Sequence, residues 1–310
     1  VAPVRSFRFA VMVSNATSAE AWRAKARRVE ELGYSALLVV DHLGDQLAPV
    51  PALMSAFDAT TRLRAGSFVF SNDYRNPAML AKEIATLDHL SAGRVEFGIG
   101  AGWLTRDYQM LGIPYDPPGT RVDRLIEAVR LIDRLFTEDS VDAAGRFYPV
   151  RGATLFPKTV QRPRPPLMIG GGGPRMLRFA ARHADIVALA PQVNADGRPH
   201  VGHLTIAATA DKIATVRAAA GARFEAIELN VIVFDAAIDG DASSLLDAVA
   251  ARLKAAVTTL VDSPYFLYGS LQKIRRDLLQ RRERLGVTYY AIPEKIMEPF
   301  APLARELAAE

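Results

Sequence analysis

The stretch from Pro77 to Trp103 reads PAMLAKEIATLDHLSAGRVEFGIGAGW. Leu80, Ile84, Leu87 and Leu90 recur at helical spacing, Pro77 stands near the start where a missing N–H is harmless, and Gly93 acts as a stop. The apolar run Val95 to Ile99 follows directly and reads as a strand. A helix feeding a short apolar strand is one step of the repeat that builds parallel sheets, and the number of such steps decides the fold.

Working outward, strands are expected at Phe7 to Val13, Ala36 to Val40, Leu63 to Val69, Val95 to Ile99, Leu167 to Ile169, Ile186 to Ala190, Ile227 to Phe234 and Thr288 to Ile292, eight in all. Between the first two, Trp22, Ala26, Val29 and Leu32 share a helical face that Gly33 ends. Val122, Leu125, Ile126, Val129, Ile132 and Phe136 make a second apolar stripe, with Arg124, Glu127 and Arg130 toward solvent. Ile274, Leu278 and Leu285 make a third, whose solvated face is expected to carry Arg275, Arg276, Arg281, Arg282 and Arg284. Phe300, Leu303 and Leu307 supply a last short helix. These units take up nearly the whole sequence, so the expected fold class is α/β, a closed (β/α)8 TIM barrel, as one domain over residues 1–310. Asp139 to Pro166 and Gln192 to Leu204 break the rhythm and are expected as insertions on the barrel rim.

Composition bounds the chemistry. Half of the 310 residues are hydrophobic, enough for a large core. The chain has no cysteine, which excludes disulfides, thiolate nucleophiles and cysteine-ligated zinc or iron–sulfur centres, and no metal is expected. A net charge of +4, scattered among acids, argues against nucleic acid as a partner. Val1 to Ser6 shows no basic region followed by an apolar run, and no segment approaches the roughly eighteen apolar residues of a membrane span. A soluble, cytoplasmic protein is the expectation.

In such barrels the carboxyl ends of the strands carry the site. The second strand ends in Asp41 and His42, a carboxylate beside an imidazole that titrates near neutrality. An isolated Asp-His pair is more often a hydrogen-bonded loop tidier; its place at a strand end is what points to acid–base work. The fifth strand runs into Gly170, Gly171, Gly172 and Gly173, then Pro174, so bare backbone N–H groups at a helix start make an anion site with phosphate as the obvious occupant. The alternative is a turn chosen for tight packing. Gly98, Gly100, Ala101, Gly102 and Trp103 would let a flat ligand approach the backbone with an indole as wall, and a packing role for Trp103 is equally open. No GxGxxG follows the first strand, which disfavours a dinucleotide-binding fold.

Taken in order, LLVVDH at 37–42, YRNPAMLAK at 74–82, DHLSAGRVEFGIGAGW at 88–103, LGIP at 111–114 and PLMIGGGG at 166–173 resemble the luciferase-like monooxygenase superfamily, and within it the F420-dependent oxidoreductase branch. The resemblance spans nearly the whole chain. It implies a deazaflavin ring across the barrel mouth, backed by a bulge with a non-proline cis peptide that falls by position at Phe68–Val69. It also implies that Asp41 contacts the ring, that Ser71, Asn72, Ala101 and Gly102 lie beside it, and that Gly170 to Gly173 hold the phosphate. His42 is then the proton donor or acceptor. Asp107 is either a helix cap or a second acid–base group, and relatives often carry glutamate there. In the branch that oxidises glucose 6-phosphate a glutamate follows the glycine matched by Gly102, whereas this chain has Trp103, which puts that substrate in doubt.

The activity so implied is hydride transfer between coenzyme F420 and a small organic substrate. Two rivals stand beside it: an FMN-dependent monooxygenase whose second substrate is oxygen, and a non-catalytic flavin-binding protein. A homodimer is expected from the resemblance alone, and the substrate depends on the two rim segments.

Overall fold

The computed structural model describes residues 5–193, 198–239 and 242–310. Each of the eight expected runs holds a strand: Arg8–Met12, Ala36–Val39, Arg64–Ser67, Val95–Gly100, Leu167–Gly171, Ile186–Leu189, Glu228–Ile232 and Tyr289–Pro293. The third differs most from expectation. It stops at Ser67 and resumes at Phe70–Ser71, and the peptide bond between Phe68 and Val69 in the gap is cis.

The chain clusters into two compact units, one of Val1–Val13, Arg28–Leu38 and Gly170–Glu310, the other of Ser14–Arg27 and Val39–Ile169. Within the first, the first strand pairs in parallel with the eighth (Arg8 opposite Tyr289) and with the second (Ala10 opposite Ala36). The seventh pairs with the eighth (Asn230 opposite Tyr289) and with the sixth (Glu228 opposite Ile186). Within the second unit, the fourth strand pairs with the third (Ala65 opposite Val95), with the resumed Phe70–Ser71 (Phe70 opposite Ile99) and with the fifth (Phe97 opposite Leu167). The hydrogen-bonded order runs third, second, first, eighth, seventh, sixth, fifth, fourth and back to the third. This is the α/β ladder of a closed (β/α)8 barrel.

The expected helices form where the apolar spacing places them: Ala19–Glu31, Pro77–Leu90, Pro118–Thr137, Leu271–Leu285 and Met297–Ala308. The Asn76 side chain caps Pro77–Leu90 by accepting from the Ala78 N–H. Leu80, Ile84 and Leu87 of that helix are buried, but Leu90 is exposed. Ten residues past Leu80 it is turned by about 80° from the buried face at 3.6 residues per turn.

Arg281, expected on a solvated face, is a correction. It is buried, and its guanidinium donates to the Phe266 carbonyl at 3.3 Å. Ile274, Leu278, Arg281 and Leu285 are the buried positions of their helix, one continuous stripe in which a cation fills an apolar place.

The Asp139 to Pro166 segment, expected on the rim, reaches further. Val141–Ala143 and Val150–Ala153 form a short antiparallel pair, and the Glu127 carboxylate collects the N–H groups of Arg146, Phe147 and Tyr148 between them. Farther along, the fully buried Asp88 accepts from the Val160 and Gln161 N–H groups and the Gln161 amide, which also donates to the Val95 carbonyl. Val95 opens its strand, so this part of the segment is fixed at the end opposite the carboxyl rim. Of the Gln192 to Leu204 segment, Asn194 to Gly197 lie outside the described residues; Val193 bridges to Pro199, and a short 3-10 helix spans Val201–Leu204. No helix among the described residues is long and apolar enough to cross a membrane.

Lys212, on helix Ile206–Ala220, is buried with its ammonium donating to the His203 carbonyl and the Tyr265 hydroxyl, each at 3.1 Å. Burial lowers its pKa to about 8. Between that value and the usual lysine value the unfolded chain binds more protons, so folded stability gains as pH rises through the window. Relative to Lys212→Met, the wild-type chain is expected to gain on the order of 3 kcal/mol from pH 7.5 to 10.5. Urea midpoints of the two proteins across that range check this; a constant difference would show that the amine is not desolvated.

Candidate active site

Asp41 and His42 follow the second strand directly, and both lie in the second unit. Asp41 is nearly buried, and its carboxylate accepts the Ser71 N–H at 2.9 Å and both arms of the Arg75 guanidinium at 2.6 and 3.1 Å. A bidentate pair supplemented by a backbone donor fixes this carboxylate and ties the end of the second strand to the resumed third. Arg75 also stacks over Phe70.

His42 turns its Nδ1 to Asp107 Oδ2 at 2.6 Å. Asp107 sits in the first turn of helix Thr105–Leu111, is 0% exposed, and takes a second hydrogen bond on the same oxygen from the Tyr74 hydroxyl at 3.1 Å. Burial and the adjacent Asp107 carboxylate push the Tyr74 hydroxyl far above its ordinary pKa, so it remains a donor. With Nδ1 engaged by Asp107, Nε2 is the ring nitrogen left free of that contact. Asp107 thus resolves into an acid that orients the histidine. It is not a cap: the residue before the helix is Leu104, without a side-chain cap.

The Trp103 indole meets His42 edge-on, with ring centroids 5.5 Å apart, and is 41% exposed. It forms a wall beside the imidazole and is not a core residue. Gly102 has φ +72°, and a Cβ there would stand 2.1 Å from the Tyr108 hydroxyl and 2.8 Å from Ser71 Oγ. At Gly98 a Cβ would stand 2.1 Å from the Ser67 carbonyl oxygen. Both glycines are therefore demanded by neighbouring protein atoms. Gly102→Ala is expected to lower stability by about 2–4 kcal/mol, read as a drop in melting temperature, because the left-handed backbone and the Tyr108 hydroxyl act against it together.

Beneath Gly102 lies a second polar group. The Tyr108 hydroxyl donates to Asp73 Oδ2 at 2.9 Å, Arg124 pairs with Asp73 Oδ1 at 3.2 Å, and the Asn72 amide donates to the Tyr148 hydroxyl at 3.0 Å. Ser71 and Asn72 are both buried. The sequence singled out Asp41, His42, Ser71, Asn72, Ala101, Gly102 and Asp107, but gave no part to Asp73, Tyr108 or Tyr148, and Arg124, expected toward solvent, instead pairs with the buried Asp73 carboxylate. For Asp73 and Tyr108 the signal was an aromatic and charged density soon after the third and fourth strands; Arg124 and Tyr148, farther along the chain, carried none.

Gly170 to Gly173 belong to the first unit. Gly170 and Gly171 end the fifth strand, and Gly173 precedes helix Pro174–His183, with Pro174 at its first position. A Cβ at Gly171 would meet Met176 Cγ at 2.3 Å and one at Gly172 the Ala190 carbonyl oxygen at 2.2 Å, whereas one at Gly173 would meet nothing within 4 Å. Tight packing thus accounts for two of the glycines and leaves Gly173 open at a helix N-terminus, where first-turn N–H groups lack intrahelical partners.

The family model of luciferase-like monooxygenases matches residues 4–288. The chain belongs to that family. As a luciferase-like chain it is 32% identical over 168 residues to an F420-dependent glucose-6-phosphate dehydrogenase of Intrasporangium calvum, covering 51% of this chain and 50% of that protein. The alignment thus spans about half the length of such a relative. Among solved structures it resembles an F420-dependent secondary alcohol dehydrogenase in complex with an F420-acetone adduct, with a TM-score of 0.78, 17% identity, and coverage of 96% and 98% of the two chains. It also resembles riboflavin lyase with modified FMN and riboflavin, with a TM-score of 0.77, 16% identity, and coverage of 97% and 92%. At these identities the two likenesses concern the fold alone.

Proposed function

We propose that this luciferase-like protein is an F420-dependent oxidoreductase that transfers a hydride between the deazaflavin and a small organic substrate, His42 moving the accompanying proton. The observation that carries the reading is the His42–Asp107 contact at 2.6 Å, with the carboxylate fully buried and the imidazole partly accessible. Asp107 orients the ring through Nδ1, and Nε2 exchanges the proton with the substrate oxygen. When bound, the deazaflavin supplies the carbon that takes or gives the hydride.

The residues of each unit, taken separately, fit a part of such a cofactor. Gly173 leaves open space at a helix N-terminus that suits its phosphate. Trp103 and the Ala101–Gly102 backbone offer a surface for a flat ring, with Asp41, Phe68, Val69, Ser71 and Asn72 as the other proposed contacts. A single domain over residues 1–310, a cytoplasmic location and a homodimer belong to the same proposal.

FMN is the second reading, since the fold is shared with a riboflavin lyase solved with modified FMN. Spectral titration with F420 and with FMN distinguishes the two. Saturable F420 binding is the expected result; tight binding of FMN alone would replace the reading, and binding of a cofactor without turnover in any redox assay would leave a flavin-binding protein.

A further inference from the structure

Arg121 stands in the first turn of helix Pro118–Thr137 and is only 6% exposed. Its guanidinium lies over the Tyr115 ring, 4.0 Å from carbon to centroid, and more loosely over Tyr108 at 5.8 Å. Its Nε and Nη1 are buried without a hydrogen-bond partner. Among the described residues no carboxylate forms a salt bridge with it. The nearby acids are taken: Asp73 and Asp116 both pair with Arg124, one turn along the same helix.

This is an unbalanced arrangement. Desolvating a cation is costly, and stacking on aromatic faces returns only part of that cost. An always-charged fork held in place by a ring, with its Nε and Nη1 donors unanswered, is complementary to an oxyanion. Its position connects it to the candidate site within the same unit. The Tyr115 hydroxyl donates to the Trp103 carbonyl at 2.9 Å, and the Trp103 indole abuts His42. Tyr115 and Trp103 are each 41% exposed, so this wall is open to a ligand.

We infer that Arg121 is an anion-recognition residue, binding a carboxylate or phosphate on a ligand that lies along the Tyr115–Trp103 wall beside His42. The assignment of His42 as the reacting centre rests on the proposed function; the anion site does not. The same chemistry has two sources, an acidic substrate or the acidic part of the cofactor.

Calorimetric titrations of wild type, Arg121→Met and Arg121→Lys tell these apart. The probes are benzoate, inorganic phosphate, F420 and the deazaflavin riboside that lacks phosphate. Wild type is expected to bind benzoate, and Arg121→Met to bind it at least tenfold more weakly, with Arg121→Lys intermediate. If the cofactor supplies the anion, Arg121→Met also weakens F420 while leaving the riboside unchanged; if the substrate does, F420 affinity is retained. Binding of neither benzoate nor phosphate by wild type, or wild-type affinity of both variants for every probe, would overturn the inference. A melting temperature of Arg121→Met equal to or above that of wild type is expected, because an unpaired buried charge is removed; should that variant not fold, the Arg121→Lys titrations decide. Failure of F420 to bind wild type would remove the proposed function and leave the benzoate result intact.

Discussion

His42→Ala is expected to lower turnover by about 10²–10⁴-fold while F420 affinity changes by no more than a few-fold. The imidazole is held through Nδ1 by a buried carboxylate, and the Trp103 indole stands against its ring, so its orientation is fixed before any ligand arrives. Removing it deletes the proton-transferring nitrogen and leaves the proposed cofactor contacts in place: the Asp41–Arg75 pair and the Ser71 backbone do not pass through His42. Loss in kcat with retained cofactor binding identifies a chemical role. Unchanged turnover would take the histidine out of the mechanism, and equal losses in turnover and cofactor affinity would make it a binding residue.

The second large effect is expected from Asp107→Asn, at about 10²–10³-fold in kcat. The amide keeps the shape of the carboxylate, but if its NH2 turns toward Nδ1 the ring must place its hydrogen on Nε2, the wrong nitrogen for a base. Tyr74 loses a charged acceptor in the same step. Groups that act as one unit are non-additive, so the His42→Ala/Asp107→Asn double variant should be no slower than His42→Ala alone. Additive losses in the double variant would separate the two residues. Tyr74→Phe, which keeps the ring and removes only the second hydrogen bond to Oδ2, is expected to cost less than tenfold in kcat.

Much of the fold was legible because helix and strand periods write their buried faces directly into the sequence. The stripe Leu80, Ile84, Leu87 and the run Val95 to Ile99 are buried as read. Arg281 was misread although its spacing with Ile274, Leu278 and Leu285 already placed it on the inner face. Residue type outweighed periodicity there, and a guanidinium that finds one carbonyl beneath a helix can occupy an apolar position.

Of the candidate site, the chain order gave Asp41 and His42 at the end of a strand and the glycines after another, because a strand end is a local feature. That Asp107 grips Nδ1 from 65 residues away was not legible, nor that Asp41 is clamped by Arg75. The same holds for Gly98 and Gly102, where the close neighbour proved to be protein. By itself the sequence determined the alternation of elements and the residues at each strand end, since these follow from spacing along one chain, and its motifs carried the resemblance to the family. Only the tertiary structure decided which of those side chains meet, which nitrogen of His42 is left free, and that Arg121 is buried without a counter-charge among the described residues; such facts depend on ladder register and on how helices settle against the sheet, where a displacement of one residue changes every partner.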